Sequence, residues 1–269
     1  MGSEKHNNLS ISNWLLNWIS SDVKKPKETV CDNSLALLSA VVQSFTQYSS
    51  LLVYIRVCSD LLTKELNSNS HLVPWCFVRI NMAHFLKICT KWTPLKTVPR
   101  RVREIILRVI GLLIKCKSLI EAQSLLHSLF VVLINETSGI HKNGQETPCE
   151  INFKILVDAI STGLVLFEQQ FNDILAAAES DDEARNFLEE EYEGLNEYDN
   201  PFQSCAENII YNRSESSIQE GSALNPLYLP TLAPYIIKSM KLLPLWSGIM
   251  ISIFGYGDDI SISAAVESS

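Results

Sequence analysis

The sequence predicts a mostly α-helical protein with a small α/β part, and three observations carry that prediction. Apolar residues recur at helical spacing through much of the chain. Only two short runs, Glu28-Thr29-Val30-Cys31 and Trp75-Cys76-Phe77-Val78-Arg79-Ile80, are β-prone. The 269 residues, 46% of them apolar, suffice for a buried core. With 10 Gly, 10 Pro and a charged fraction of 19%, the composition excludes a wholly disordered, collagenous or coiled-coil chain.

Each element follows from local pattern. Between Leu9 and Ile19, residues Ile11, Trp14, Leu15, Trp18 and Ile19 fall on one helical face, and Pro26 closes that helix off. The first β run ends at Asp32. Helical periodicity resumes from Leu35 to Phe45, with Asn33 or Ser34 as its cap. Leu51 to Leu66 is a further helix, Pro74 introduces the second β run, and Asn81-Met82-Ala83-His84 follows it directly. Over residues 100 to 136 two apolar faces succeed one another: Val102, Ile105, Ile106, Val109, Leu112 and Leu113, then Leu119, Ala122, Leu125, Leu126, Leu129, Phe130 and Leu133. A break near Lys117-Ser118 makes them an antiparallel helical pair. Ser138 to Glu150 is polar loop, and Ile151 to Ala178 is an amphipathic helix. Beyond Asn225 the chain is punctuated by Pro226, Pro230, Pro234 and Pro244, and Phe254-Gly255-Tyr256-Gly257 is a turn. No run is apolar for long enough to predict a transmembrane helix, since Leu242 to Tyr256 holds Pro244 and Gly248 and falls short of about 20 residues.

Charge divides the chain further. The formal charge is −8, yet Glu179 to Asp199 holds ten acids against Arg185 alone, and the remainder is close to neutral. Residues 87 to 117 carry nine bases (Lys87, Lys91, Lys96, Arg100, Arg101, Arg103, Arg108, Lys115, Lys117) and one acid, Glu104. Self-repulsion and scarce apolar content make 179–222 an acidic flexible linker. The basic stretch, with Trp92 in it, is either a phosphate-contacting patch or a solvated face that pairs with the acidic segment. The expected organisation is an α/β segment over 1–94, a helical segment over 95–178, the linker, and a C-terminal helical segment over 223–269.

The seven cysteines (31, 58, 76, 89, 116, 149, 205) have no short paired spacing, which predicts reduced thiols in an intracellular protein. Cys76, His84 and Cys89 match no zinc pattern, and the chain holds no phosphate-cradling glycine loop, nucleophile elbow or H-E-x-x-H motif. Two side chains adjoin the β runs. Asp32 ends the first, where an α/β sheet gathers metal and phosphate sites, or else caps the next helix. His84 follows the second, as a site residue or as a hydrogen-bonded core histidine.

Four segments in order resemble the Mutator-like (MULE) transposases, and in particular the transposase-derived proteins of the insect type. They are Ile11 to Trp18 with Pro26, Val30-Cys31-Asp32-Asn33-Ser34-Leu35-Ala36-Leu37-Leu38, Arg79-Ile80-Asn81-Met82-Ala83-His84-Phe85, and Ser263-Ala264-Ala265-Val266-Glu267-Ser268. The resemblance implies an RNase H-like core in which three acids hold two Mg2+ or Mn2+ ions for DNA phosphoryl transfer. On it, Asp32 is the second acid, Glu267 the third, both metal ligands, and His84 the histidine after the next strand. Residues 95 to 250 become a large insertion, helical over 95–178. The family's first acid would precede Leu9 and the helix bearing Glu267 would run on past Ser269, so the chain reads as a partial, truncated copy with an incomplete core and without activity by itself. The implied partner is DNA, bound weakly and without sequence preference through Lys87, Lys91, Arg100, Arg101 and Arg103. A nuclear location and a homo-oligomer accord with it, and no membrane is expected. The competing expectation is a non-enzymatic helical protein-interaction module using the helices of 100–178. Parallel pairing of the two β runs, with Asp32 and Glu267 close together, discriminates for the first.

Overall fold

Two four-residue strands, β1 (Glu28–Cys31) and β2 (Phe77–Ile80), pair in parallel, with Glu28 opposite Phe77 and Cys31 opposite Ile80. A parallel pair needs a crossover, and two helices supply it. These are α2 (Leu35–Phe45) and α3 (Leu51–Thr63), which pack on each other, with α2 also against both strands. The computed structural model describes residues 8–21, 24–63, 72–163, 171–172, 200–211 and 220–255.

The chain divides into two compact units. The first holds the described residues of 8–85 and 242–255, the second those of 86–172 and 200–241. In the first, α1 (Asn8–Ser20) lies on α2. Of the stripe read on α1, Leu15 is buried, whereas Trp14 and Trp18 project outward, 68% and 46% exposed; Ser12, outside that stripe, donates from Oγ to Gln43 Oε1 at 3.3 Å. Helix α2 is buried nearly all round through Leu38, Ala40, Val41, Val42 and Phe45, which makes it the core of the unit. Strand β2 is buried at every residue. Its outward-facing Val78 N–H donates to the Tyr54 hydroxyl at 3.0 Å, so a buried backbone donor on the far side from β1 is satisfied by a side chain.

The same unit takes in the end of the described chain. Trp246, on the short helix α11 (Leu243–Trp246), stacks on Phe85 with ring centroids 4.7 Å apart. Phe254, at the end of α12 (Ile251–Phe254), stacks on Phe77 at 4.4 Å. Gly255 then stops the helix in the left-handed conformation, φ +72°, which glycine adopts without penalty. Of the expected C-terminal segment 223–269, the described residues divide: 223–241 belong with the second unit and 242–255 with the first, while 256–269 lie outside the described residues.

The second unit is built on α6 (Arg100–Lys115) and α7 (Leu119–Ile134), which follow the short α5 (Thr93–Lys96) and pack together. Their apolar faces are buried much as the periodicity predicts, and the break falls at Cys116 to Ser118. It is chemically marked. Ser118 Oγ accepts from the Glu121 N–H at 3.2 Å while the Glu121 carboxylate accepts from the Lys117 N–H at 2.9 Å, a reciprocal arrangement that satisfies two orphan donors. Helix α8 (Pro148–Gly163) packs on both. It starts three residues earlier than the periodicity of Ile151 onward suggests, because Thr147 Oγ1 caps the Glu150 N–H and Pro148 suits a first helical turn. Its expected continuation to Ala178 lies outside the described residues apart from 171–172.

One correction concerns the linker. Within 179–222, residues Pro201–Tyr211 form a helix, α9, that buries Phe202 and Ala206 and packs on α7. Asn200 starts it, its Oδ1 accepting from the Phe202 and Gln203 amides and its Nδ2 donating to the Lys241 carbonyl. The dense acidic run ends at Asp199; the helix itself holds a single acid, Glu207, among apolar residues at helical spacing. The acidic run 179–199 lies outside the described residues.

Asn225 anchors the return of the chain, its Nδ2 bridging the Val132 and Asn135 carbonyls at 2.7 Å each. A two-residue antiparallel ladder joins β3 (Thr137–Ser138) to β4 (Ala223–Leu224). Helix α10 (Ala233–Ser239) then packs on α9. By length and composition alone Pro230–Phe254 could cross a membrane, but it consists of short helical pieces, three of which carry a proline at their first or second position, and most of it is buried within the protein.

Candidate functional site

The parallel pairing brings the residues after the two strands together at one end. Asn81 donates its N–H to the Cys31 carbonyl at 2.8 Å, extending the ladder by one rung beyond β2. Asn81 Oδ1 then accepts the His84 N–H at 3.2 Å, which starts α4 (Met82–Thr90). This cap holds His84 in the first turn of α4. Its Nδ1 lies 3.6 Å from Asp32 Oδ1.

Asp32 is not occupied as a helix cap. Ser34 does that work for α2, its hydroxyl accepting from the Leu37 N–H at 3.4 Å, while the Asp32 carbonyl accepts from the Ser34 N–H at 2.8 Å. Of the two candidates Asn33 and Ser34, the structure selects Ser34. The Asp32 side chain is 61% exposed and that of His84 34% exposed, so both are open to a ligand. A separation of 3.6 Å is an ion-pair contact when the imidazole is protonated and is too long for a hydrogen bond.

Two neighbouring groups define the surroundings. Burial, followed by the negative charge of Asp32, pushes the Cys31 thiol up to about 12, so this cysteine stays a neutral thiol and is no nucleophile. Arg79, buried on β2, donates from Nη1 to Glu28 Oε1 at 2.6 Å, and that pair neutralises a charge inside the sheet. In the sequence the only sign of this pair is that Arg79 interrupts an apolar β-prone run and Glu28 begins the other.

Mg2+ and Mn2+ require several oxygen ligands. Among the described residues no group of three or more His, Cys, Asp or Glu side chains could hold an ion. Asp32 and His84 supply two donors, which do not by themselves fit a pair of divalent ions. Glu267 lies outside the described residues.

The basic residues belong to the second unit. Lys87 and Lys91 are half-buried, Arg101 is exposed, Arg103 is half-buried, and Arg100 Nε donates to Glu104 Oε1 at 2.8 Å. Lys87, Lys91, Arg100 and Arg103 have further interaction partners. Arg108 lies over the Phe171 ring at 5.2 Å. Arg100, Arg101 and Arg103 occupy the first turn of α6, whose N-cap Pro99 makes no side-chain capping bond. Three cations there oppose the positive end of the helix dipole and cost stability. Together with uncapped amides, however, they suit a phosphate. The charge count locates the patch, and the apolar periodicity that begins at Val102 already sets these three arginines at a helix start.

The chain is similar over 271 aligned residues, at 29% identity, to the "120.7 kDa protein in NOF-FB transposable element" of Drosophila melanogaster, an alignment covering 100% of this chain and 24% of that protein. It thus spans about a quarter of the length of the curated relative it matches. The similarity supports a transposon-derived protein. No protein-family model and no solved structure matches.

Proposed function

We propose that this chain is a segment of a Mutator-like transposase, and that β1, β2 and the helices between them are part of an RNase H-like phosphoryl-transfer domain. The observation that carries the reading is the placement of Asp32 and His84, 52 positions apart in sequence, side by side at the carboxyl ends of two parallel strands. Ligands of open α/β sheets gather at that edge. The similarity to a protein of a transposable element supports the same reading. Asp32 and His84 are the residues that the chain contributes to the catalytic centre, and Glu267 is proposed with them on resemblance alone. Mg2+ or Mn2+ binding belongs to the proposal for the whole centre, not for the described residues by themselves.

DNA is the proposed partner, held through Lys87, Lys91, Arg100, Arg101 and Arg103, with the start of α6 meeting the phosphate backbone. Such contact is salt-sensitive and carries no sequence information. Nuclear residence follows from this role.

The test is a transposition assay on a longer protein that contains this segment. Asp32→Ala abolishes strand transfer while leaving protein level and DNA binding in place. Undiminished transposition by that variant overturns the reading and leaves the helical interaction module as the alternative, for which the exposed Ile151 and Ile155, one turn apart on α8, are the supporting observation.

A further inference from the structure

We infer that Trp75 and Lys25, in the first unit, form a stacking site for an unpaired nucleobase, with Lys24 and Lys27 holding the adjoining phosphates. The inference goes beyond the proposed duplex contact of α6 and rests on the reading of the chain as DNA-binding.

Trp75 is 64% exposed, so its indole gains little from folding. Its position is nevertheless tightly held. The Trp75 N–H donates to Gln47 Oε1 at 3.0 Å, Gln47 Nε2 donates to the Val73 carbonyl at 3.0 Å, and the Tyr48 hydroxyl donates to the Leu72 carbonyl at 2.6 Å. Three side-chain bonds from Gln47 and Tyr48, just past the end of α2, thus fix the loop that presents the ring. Ordering a loop costs conformational entropy, which the display of a solvated tryptophan does nothing to offset.

Charge argues for the occupant. Lys25 Nζ sits 5.6 Å from the centroid of the Trp75 ring, and Lys24, Lys25 and Lys27 are all exposed within four residues that contain no acid. An aromatic face with flanking lysines matches the chemistry of single-stranded nucleic acid, in which a base stacks on the ring and the cations track the backbone. The exposed pair on α1 differs, because Trp14 and Trp18 stack on each other with centroids 6.4 Å apart.

The test uses the full chain and fluorescence anisotropy with a labelled oligothymidine of about 12 nucleotides, beside a duplex of the same length. Trp75→Ala weakens single-strand binding at least about fivefold and leaves duplex binding unchanged, and Trp75→Phe restores most of the loss. Lys25→Glu weakens the single strand as well. Charge reversal at Arg100, Arg101 and Arg103 has the complementary effect on the duplex, so failure of the α6 contact and failure of this site are separately visible. Trp75→Ala binding oligothymidine as tightly as the unaltered chain overturns the inference, and so does an equal loss on both DNAs; the former result leaves a protein as the ligand of this surface.

Discussion

His84 Nδ1 stands 3.6 Å from Asp32 Oδ1, and neither residue is placed by its own side chain. Asp32 is fixed by the end of β1 and by the Ser34 amide on its carbonyl, and His84 by the Asn81 cap that opens α4. The pair is a product of strand register. Its residues can therefore be altered with little cost to the fold, and Asp32→Ala changes stability by less than about 1 kcal/mol, as for exposed ion pairs. Thermal unfolding of the variant checks this, and a large loss would show that Asp32 serves the fold and not a site.

Tyr54→Phe destabilises the first unit by about 1–3 kcal/mol, because it leaves the buried Val78 N–H without its acceptor. Urea unfolding measures the loss. A neutral outcome would show that the hydroxyl is dispensable to β2.

Simultaneous reversal of Arg100, Arg101 and Arg103 weakens duplex binding and makes its dependence on the logarithm of salt concentration shallower by roughly 2–3. Anisotropy titrations across a salt series give the slope. Tight binding that survives the reversal removes the start of α6 as the contact.

Stability falls as pH rises above the ordinary thiol range. Burial raises Cys31 and Cys116 to about 12 and Cys149 to about 11, whereas in the unfolded chain these thiols ionise near 9.0. Below 9.0 both states hold the protons and the thiols contribute no pH dependence; between 9.0 and about 11 to 12 the unfolded state alone releases them, and folding is progressively disfavoured. Urea midpoints at successive pH values within that window decrease in the unaltered chain, and decrease less steeply once Cys31 and Cys116 are replaced by alanine.

Local chemistry determined the elements. The β-prone residues of β1 and β2, the hydroxyl of Ser34, the Ser118 and Glu121 pair and the apolar periodicity of α6 and α7 act over a few positions, so each is legible from neighbouring residues. The tertiary structure decided what those elements do to one another. Nothing near Asp32 in sequence sets its distance from His84; that depends on a parallel register closed through α2 and α3, and pairing of this kind is governed by burial of side chains remote in the chain. The same reason sends Trp14 and Trp18 outward from a stripe whose periodicity marks them as core, because periodicity defines a face but only the partner helix determines how much of it is covered. It also explains α9, where Phe202 and Ala206 acquire a buried face only once α7 lies against them.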